Sequence, residues 1–234
     1  MRLAIQISGE FRVLHLSLPK LEQHVLKAFP NTEIDIFFHT WWCEEDYTNK
    51  SIKPVYGHGT GINRLQPRSY KLEKFADRTD LQQLPRAYSM FYSIQQANQV
   101  RKDYENLFNV QYDLVMRYRT DCILNGSIFE LIQPFLQEKK SFLCIPKPIR
   151  PAQPDGPVEN DSQGLCEWMA IGTPDAMDIY CSTFGTWASE GLPLVSETML
   201  ALHLQLHGIT KQTILKRPDF DMYLVDGEGK IRGL

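Results

Sequence analysis

Two arginines and an aspartate lie at the end of an otherwise apolar stretch, in the segment YDLVMRYRTDCIL at residues 112–124. Side chains alternate between the two faces of a strand, so Arg117, Arg119 and Asp121 are expected on one face. A guanidinium group matches phosphate and carboxylate oxygens, and a carboxylate can hold a divalent cation. The segment therefore predicts a site for an anionic or metal-bound ligand. The alternative is a structural ion pair between Asp121 and one of the arginines.

The elements around this segment predict an α/β fold with a mixed central sheet flanked by helices. Apolar runs at 3–8 and 34–39 indicate strands, and residues 18–29 between them place apolar side chains at helical spacing. In open α/β sheets, ligands bind in the crevice beyond the carboxyl ends of the strands. Further strands are expected at 112–119, 141–146 and 167–172, and further helices at 89–107, 127–136, 173–184 and 196–208.

Two more segments follow predicted strands and carry side chains suited to binding. In SGEFR (8–12), Gly9 permits close approach of the backbone, and Arg12 offers a planar fork for phosphate oxygens. HTWW (39–42) provides aromatic surface on which a base or sugar ring could stack. If the two strands are parallel neighbours, both segments lie at the same sheet edge as Asp121. Capping of the core is the alternative role for the two tryptophans.

Two glutamates are candidates for acid–base chemistry. Glu197 is at the first position of a predicted helix, where the helix dipole favours a carboxylate whatever its function. Glu167 directly precedes the predicted strand WMAIG. Neither position alone distinguishes a catalytic from a structural role.

Composition excludes several classes of partner. The chain has 234 residues and a formal net charge of −3, so it lacks the basic field that duplex nucleic acid or an anionic membrane surface requires. No apolar run reaches the length of a membrane span, and no signal-peptide pattern occurs. Five cysteines without a C-x-x-C pair argue against a disulfide framework and predict reduced thiols in a cytoplasmic protein.

Three segments are predicted to lie outside the regular core. Residues 43–85 are polar and lack periodicity, which predicts a long insertion, and GHGTG within it is interpreted as a flexible loop because it lacks the spacing of a phosphate loop. A proline-rich stretch from 146 to about 164 predicts a functional lid or mobile segment. A hairpin is expected around Asp226 and Gly227.

The order of these motifs resembles that of small GT-A-like glycosyltransferases from polysaccharide and lipopolysaccharide loci and large viral genomes. The resemblance extends from residue 3 to about 208. It rests on SGEFR, DIFFHTW, MFYSIQQAN, YDLVMRYRTD, EWMAIGTPDAMDIY and SETMLALHL, taken in this order along the chain.

The resemblance implies one GT-A-like, Rossmann-like domain over residues 1–234. A nucleotide-binding half would cover about 1–125, and an acceptor half about 126–234. The implied activity is transfer of a sugar from a nucleotide-diphosphate donor to a hydroxyl of a glycan or other acceptor, with Mn²⁺ or Mg²⁺ as a possible cofactor. YRTD matches the metal-binding DxD motif of such enzymes, but Arg119 stands at the first carboxylate position and leaves Asp121 as the metal ligand. Arg117 or Arg119 could instead neutralise the diphosphate.

The resemblance also assigns roles to single residues. Arg117, Arg119 and Asp121 would face the diphosphate, Glu197 would be the catalytic base, and Glu167 is the second choice for that base. Two other classes stay open: a non-catalytic nucleotide- or carbohydrate-binding module, and a phosphoryl- or nucleotidyltransferase, against which the absence of paired carboxylates counts. The residues expected to line the nucleotide pocket are Ser8, Gly9, Arg12, His39, Trp41 and Tyr92.

Overall fold

A computed structural model of the chain describes residues 1–9, 14–42, 63–138, 140–145, 165, 167–187, 196–209 and 221–224. The strands are β1 (Arg2–Ser8), β2 (Glu33–Trp42), β3 (Ser69–Lys74), β4 (Leu114–Arg119), β5 (Cys122–Asn125), β6 (Leu143–Cys144), β7 (Met169–Gly172) and β8 (Asp221–Leu224). Six of them form the central sheet in the order β3-β2-β1-β4-β7-β6. β1 to β4 are mutually parallel, whereas β7 runs antiparallel to both β4 and β6. The predicted α/β class with a mixed central sheet is therefore confirmed.

The helices lie between these strands, and β5 and β8 form a separate two-stranded antiparallel sheet. None of the helices in the described ranges combines the length and apolar character needed to cross a bilayer. The helices are α1 (Leu14–Leu21), continued by a π-helical turn (Glu22–Leu26), then α2 (Thr79–Gln82), α3 (Arg86–Phe108), α4 (Ile128–Glu138), α5 (Pro174–Cys181), α6 (Thr183–Trp187) and α7 (Ser196–Leu206), with a 3₁₀ turn at Phe75–Asp77.

The chain winds in two directions from β1. It first moves through α1 to β2 and on to β3, and later returns through α3 to β4 on the other side of β1. Because crossover connections between parallel strands are right-handed, the two helices cover opposite faces of the sheet. Ser17 of α1 bonds to the carbonyl of Thr120 beside one face, while Asn98 of α3 bonds to Gln6 on the other.

The two faces of the sheet differ in polarity. Ile5, Ile7 and Tyr118 point towards the α1 face and are fully buried among apolar side chains. Gln6 and Arg117 are register partners on the α3 face and are buried as well. Polar groups buried in this way usually have partners or a function, so the α3 face is where a site is expected.

The structure corrects two predicted boundaries. Residues 43–85 were expected to be an insertion, but β3 within them is the edge strand of the main sheet. β2 extends to Trp42, so HTWW belongs to the strand and does not leave it. The strand expected over 112–119 is confirmed as β4, after which the chain turns and enters the second sheet at Cys122.

Several other predictions are confirmed or fall outside the described residues. The helix expected at 173–184 is present as α5 and α6, and Thr173 is the N-cap of α5 with Pro174 next to it. Gly208 follows α7 with φ of 76°, a conformation that suits glycine at a helix end. GHGTG, the proline-rich stretch and the turn at Asp226 and Gly227 lie outside the described residues.

Candidate functional site at the carboxyl ends of β1 and β4

The point where the winding reverses lies between β1 and β4. Ser8 and Arg119 end these strands and are register partners. Next to them Gly9 has φ of 118°, which side-chain-bearing residues rarely adopt, and a Cβ there would lie 3.5 Å from Thr120 Oγ1. In open α/β sheets a ligand crevice forms where neighbouring strands connect in opposite directions. We call the region around Ser8, Gly9, Arg119 and Asp121, where these two strands end, the β1–β4 crevice.

Arg119 and Asp121 form a forked ion pair in this crevice. Arg119 Nε lies 2.6 Å from Asp121 Oδ1, and Arg119 Nη2 donates to Asp121 Oδ2 at 3.1 Å. Asp121 is 3% exposed, whereas 22% of the Arg119 side chain is exposed. The structural ion pair considered as an alternative for Asp121 is therefore present. It leaves the guanidinium, and not the carboxylate, facing outwards.

Arg117 lies deeper than Arg119 and is 1% exposed. Its Nη1 donates to the carbonyl of Trp168 at 2.5 Å, while its Nε has no hydrogen-bond partner in the part of the chain that the structure describes. Burial lowers the pKa of Arg117 because the charged form loses its hydration. A buried guanidinium of this kind is a binding group for an anion.

Glu167 borders the crevice on the side of β7. It is 5% exposed, and its Oε1 lies 3.7 Å from Arg119 Nη1. Burial raises the pKa of Glu167, and the neighbouring charge of Glu197 raises it further. Leu165 donates its backbone N–H to the carbonyl of Glu197 at 3.2 Å, which holds the segment before β7 against the start of α7. The two glutamates thus lie close together at one side of the crevice.

Buried polar atoms without a hydrogen-bond partner concentrate at this crevice. Within the described ranges, Ser8 Oγ, Arg117 Nε and Glu167 Oε2 are such atoms, and His24 Nε2 is another that lies elsewhere. Asp121 Oδ1 also lacks a hydrogen bond of regular geometry, but Arg119 Nε lies 2.6 Å from it, so the ion pair satisfies this oxygen. Native proteins rarely leave buried polar groups unsatisfied, and a missing ligand is one cause.

A second cluster lies at the carboxyl end of β2, next to the crevice. His39 is the register partner of Ser8 on the neighbouring strand and is fully buried. Its Nδ1 lies 2.7 Å from Ser93 Oγ, and its Nε2 lies 2.8 Å from Glu73 Oε2. Burial lowers the pKa of His39 to about 4, more than Glu73 raises it. The ring is therefore neutral at physiological pH.

Aromatic packing completes this second cluster. Trp41 and Tyr92 stack with ring centroids 5.6 Å apart, and the Tyr92 hydroxyl donates to Glu73 at 3.0 Å. Arg78 also lies over the Tyr92 ring, with its guanidinium carbon 4.0 Å from the ring centre. Trp41 and Tyr92 are each less than 10% exposed. Much of the aromatic surface that was expected to stack on a base is thus packed against other side chains of the protein.

The sequence-predicted residues therefore form two adjacent groups. Glu73, Ser93 and Arg78 were not predicted from the sequence, although the alternation in SYKLEK places Lys71 and Glu73 on one face of β3. Arg12 lies outside the described residues. The crevice holds Ser8, Gly9, Arg117, Arg119, Asp121, Glu167 and Glu197, and the second group holds His39, Trp41 and Tyr92.

The donor set at Asp121 does not fit the divalent cation that a DxD motif would hold. Both carboxylate oxygens of Asp121 are in contact with the guanidinium of Arg119, a cation already in the ligand position. Among the described residues, no three His, Cys, Asp or Glu side chains are grouped as metal ligands. Mn²⁺ or Mg²⁺ at Asp121 would have to displace Arg119.

Comparison with known proteins adds no assignment: no protein-family model matches the chain, and no curated protein matches it in sequence.

Proposed function

We propose that the protein is a glycosyltransferase that moves a sugar from a nucleotide-diphosphate donor to a hydroxyl of a glycan or another acceptor. The observation that supports it best is that three buried polar atoms without a hydrogen-bond partner, Ser8 Oγ, Arg117 Nε and Glu167 Oε2, lie at the reversal point of the sheet. Ligands of open α/β sheets bind at such points. The GT-A-like fold, the division into donor and acceptor halves near residue 125 and a cytoplasmic location are parts of the same proposal.

The cations of the crevice suit departure of a nucleoside diphosphate. As the bond between the anomeric carbon and the diphosphate oxygen breaks, negative charge builds up on that oxygen. Fixed cations aimed at the developing charge stabilise the transition state without reorganising during the reaction. Arg117 and Arg119 lie two residues apart on one face of β4 and supply such cations.

Glu197 is assigned as the base. The acceptor oxygen attacks the anomeric carbon while its proton passes to a carboxylate, and a positioned carboxylate contributes about 10² to 10⁴ in rate. Glu197 is partly exposed, whereas Glu167 is buried with a raised pKa. The more accessible of the two neighbouring carboxylates is better placed to receive a proton from an incoming acceptor. Glu167 then acts as a neighbour of the Arg119 guanidinium, 3.7 Å away, and not as the base.

Donor binding and turnover test the proposal together. Purified protein is titrated calorimetrically with UDP, GDP, CDP and dTDP and their common sugar conjugates, and transfer is assayed with mixed glycan acceptors. In Glu197→Gln we expect unchanged donor affinity and a loss of transfer of about 10² to 10⁴. Glu130→Gln makes the same change in the first turn of α4 on an exposed side chain and should keep full activity. Full transfer by Glu197→Gln would remove the base assignment.

The non-catalytic binding module is retained as a second candidate because Arg119 occupies a position where the resembling enzymes have a carboxylate. Slow hydrolysis of the bound donor in the absence of acceptor distinguishes the two candidates. An enzyme of this kind releases nucleoside diphosphate over hours, whereas a module binds the donor and returns it intact.

A further inference from the structure

We propose that the crevice binds the donor diphosphate without a divalent cation, that Arg117 and Arg119 supply the positive charge, and that Asp121 acts as a positioning residue for Arg119. This inference rests on the proposed function, which it deepens by defining how the donor is held.

The first step is the geometry of the Arg119 pair. Two guanidinium nitrogens contact the two oxygens of Asp121, at 2.6 Å and 3.1 Å. Such a two-point contact fixes the plane of the guanidinium, which a single contact would leave free to rotate. Asp121 itself is almost completely buried. Asp121 therefore holds Arg119 in position. A metal ion could bind Asp121 only by breaking this ion pair.

The second step concerns the guanidinium N–H groups of Arg119 that do not bond to Asp121. Arg119 Nη1 lies 3.7 Å from Glu167 Oε1, too far for a hydrogen bond. Arg119 Nη1 therefore makes no hydrogen bond to Glu167 and can donate to a phosphate oxygen, and 22% of the Arg119 side chain is exposed. Burial raises the pKa of Glu167, which weakens its competition with a phosphate for this guanidinium.

The third step is the charge of Arg117, which has no direct ion pair. Among the described residues no carboxylate lies within ion-pair distance of it, and its Nε has no hydrogen-bond partner. Glu167 and Asp121 act on this charge only from a distance, and burial lowers the pKa of Arg117 in spite of them. A buried charge without a direct counter-ion is costly to the fold. A phosphate oxygen bound at Arg117 would supply that counter-ion.

The experiment measures nucleotide affinity and metal binding separately, using the full chain. Each of UDP, GDP, CDP and dTDP is titrated calorimetrically in EDTA and again in Mn²⁺. Binding of Mn²⁺ without nucleotide is followed by electron paramagnetic resonance. We expect one nucleoside diphosphate to bind with equal affinity in both buffers, and no Mn²⁺ bound at micromolar concentrations.

Variants of Arg119 sharpen the test. Arg119→Met should weaken nucleotide binding in EDTA about 10- to 100-fold, the effect of one lost charge-assisted hydrogen bond. Arg119→Asp restores a pair of carboxylates, and nucleotide binding should then require Mn²⁺. If Arg119→Asp fails to fold, Arg119→Lys takes its place in the test. It keeps the positive charge but loses the planar guanidinium, and should bind nucleotide with intermediate affinity. Arg64→Asp is the control: it makes the same change in charge beside Glu22, towards the opposite edge of the sheet.

The outcomes separate the inference from the function. Nucleotide binding by the unaltered protein that requires Mn²⁺ would overturn the inference and leave the glycosyltransferase proposal in place. Binding in EDTA that survives Arg119→Met unchanged would also overturn it. Absence of binding by every nucleotide and sugar nucleotide, with and without metal, would overturn both.

Discussion

His39 and Glu73 are joined across neighbouring parallel strands, with Nε2 of the histidine 2.8 Å from Oε2 of the glutamate. Both side chains lie on the face of the sheet that α3 covers, where Ser93 reaches His39 and Tyr92 reaches Glu73. Burial acts to raise the pKa of Glu73, but hydrogen bonds from His39, Lys71 and Tyr92 outweigh it and lower that pKa. The pair thus ties the edge strand to the carboxyl end of β2.

The His39 environment predicts a pH-dependent stability. The folded protein holds His39 neutral with a pKa of about 4, whereas the unfolded chain titrates near the ordinary histidine pKa of 6.5. Between these values the unfolded state binds a proton that the folded state does not. The free energy of unfolding should therefore fall as the pH decreases from 6.5 to 4, by up to about 3 kcal/mol from this group. Urea titrations at several pH values measure it.

A variant isolates the contribution of His39. His39→Gln removes the titrating group and should flatten the dependence in this pH window, while a change at His203, whose pKa burial also lowers, leaves the His39 contribution in place. If the free energy of unfolding of His39→Gln falls with pH as steeply as that of the unaltered protein, groups other than His39 determine the pH dependence. Glu73, with its lowered pKa, contributes in the same direction but only at lower pH.

Replacing either of two buried arginines, Arg101 or Arg117, by methionine should have different effects on the stability of the protein. Arg101 is buried between α3 and α5 with Glu105 at 2.7 Å and Asp178 in direct contact. Arg101→Met removes the ion-pair partner of Glu105, while Asp178 keeps Lys102 at 3.0 Å, so the variant should lower the free energy of unfolding by about 1–3 kcal/mol. Arg117→Met removes a charge without a direct counter-ion and should leave stability unchanged or higher, while nucleotide binding is lost. Thermal unfolding and calorimetry on both variants measure this. A severe loss of stability in Arg117→Met would indicate a structural role instead.

Two tyrosine hydroxyls offer a matched comparison at opposite ends of the sheet. Tyr92 donates to Glu73 near the crevice, and Tyr112 donates to Asp35 at 2.8 Å near the start of β2. Each change to phenylalanine should cost about 0.5–1.5 kcal/mol of stability or somewhat more. We expect only Tyr92→Phe to weaken donor binding. Equal effects of both variants on binding would mean that the second cluster does not contribute to the pocket.

Gly172 at the end of β7 should not tolerate a side chain. A Cβ there would collide with the backbone carbonyl of Phe142 at the entry to β6. Gly172→Ala should therefore destabilise the protein by about 1–3 kcal/mol, as overpacking does. In Gly185→Ala the new Cβ would meet only the Gln95 amide, at 3.4 Å, and the gain in helix propensity should make the change neutral or stabilising. Chemical denaturation distinguishes the two.

Burial explains which strands could be predicted from the sequence. β1, β4 and β7 are covered on both faces, so their sequences read as continuous apolar runs. β3 lies at the sheet edge with alternate residues exposed. Its two apolar residues, Tyr70 and Leu72, are the exposed ones, so the short alternation in SYKLEK does not mark a buried face and the strand was missed within a polar segment. The same pairing explains why β2 continues through His39 and Trp41.

The composition of the crevice was predictable, but its internal geometry was not. The clustering of Arg117, Arg119 and Asp121 followed from spacing on one strand. The turn after Arg119 depends on a distant partner, since Ser17 of α1 donates to the carbonyl of Thr120, and on a local one, since the Tyr118 hydroxyl donates to the carbonyl of Cys122. A contact such as that of Ser17 leaves no local pattern in the sequence. The sequence therefore offered an ion pair as one alternative for Asp121, and the structure was needed to show that the pair exists and that Arg119 is the partner.

The two-stranded sheet of β5 and β8 affects when the crevice becomes complete during synthesis. β5 begins directly after Asp121, and its antiparallel partner spans residues 221–224, about a hundred positions later. All six strands of the central sheet precede β8 in the chain. A nascent chain can therefore assemble the central sheet while the segment carrying Asp121 still lacks its partner strand. The turn that carries Asp121 is then followed by an unpaired strand until β8 is made, and we expect a ligand added to stalled nascent chains to be retained more strongly once β8 has emerged from the ribosome.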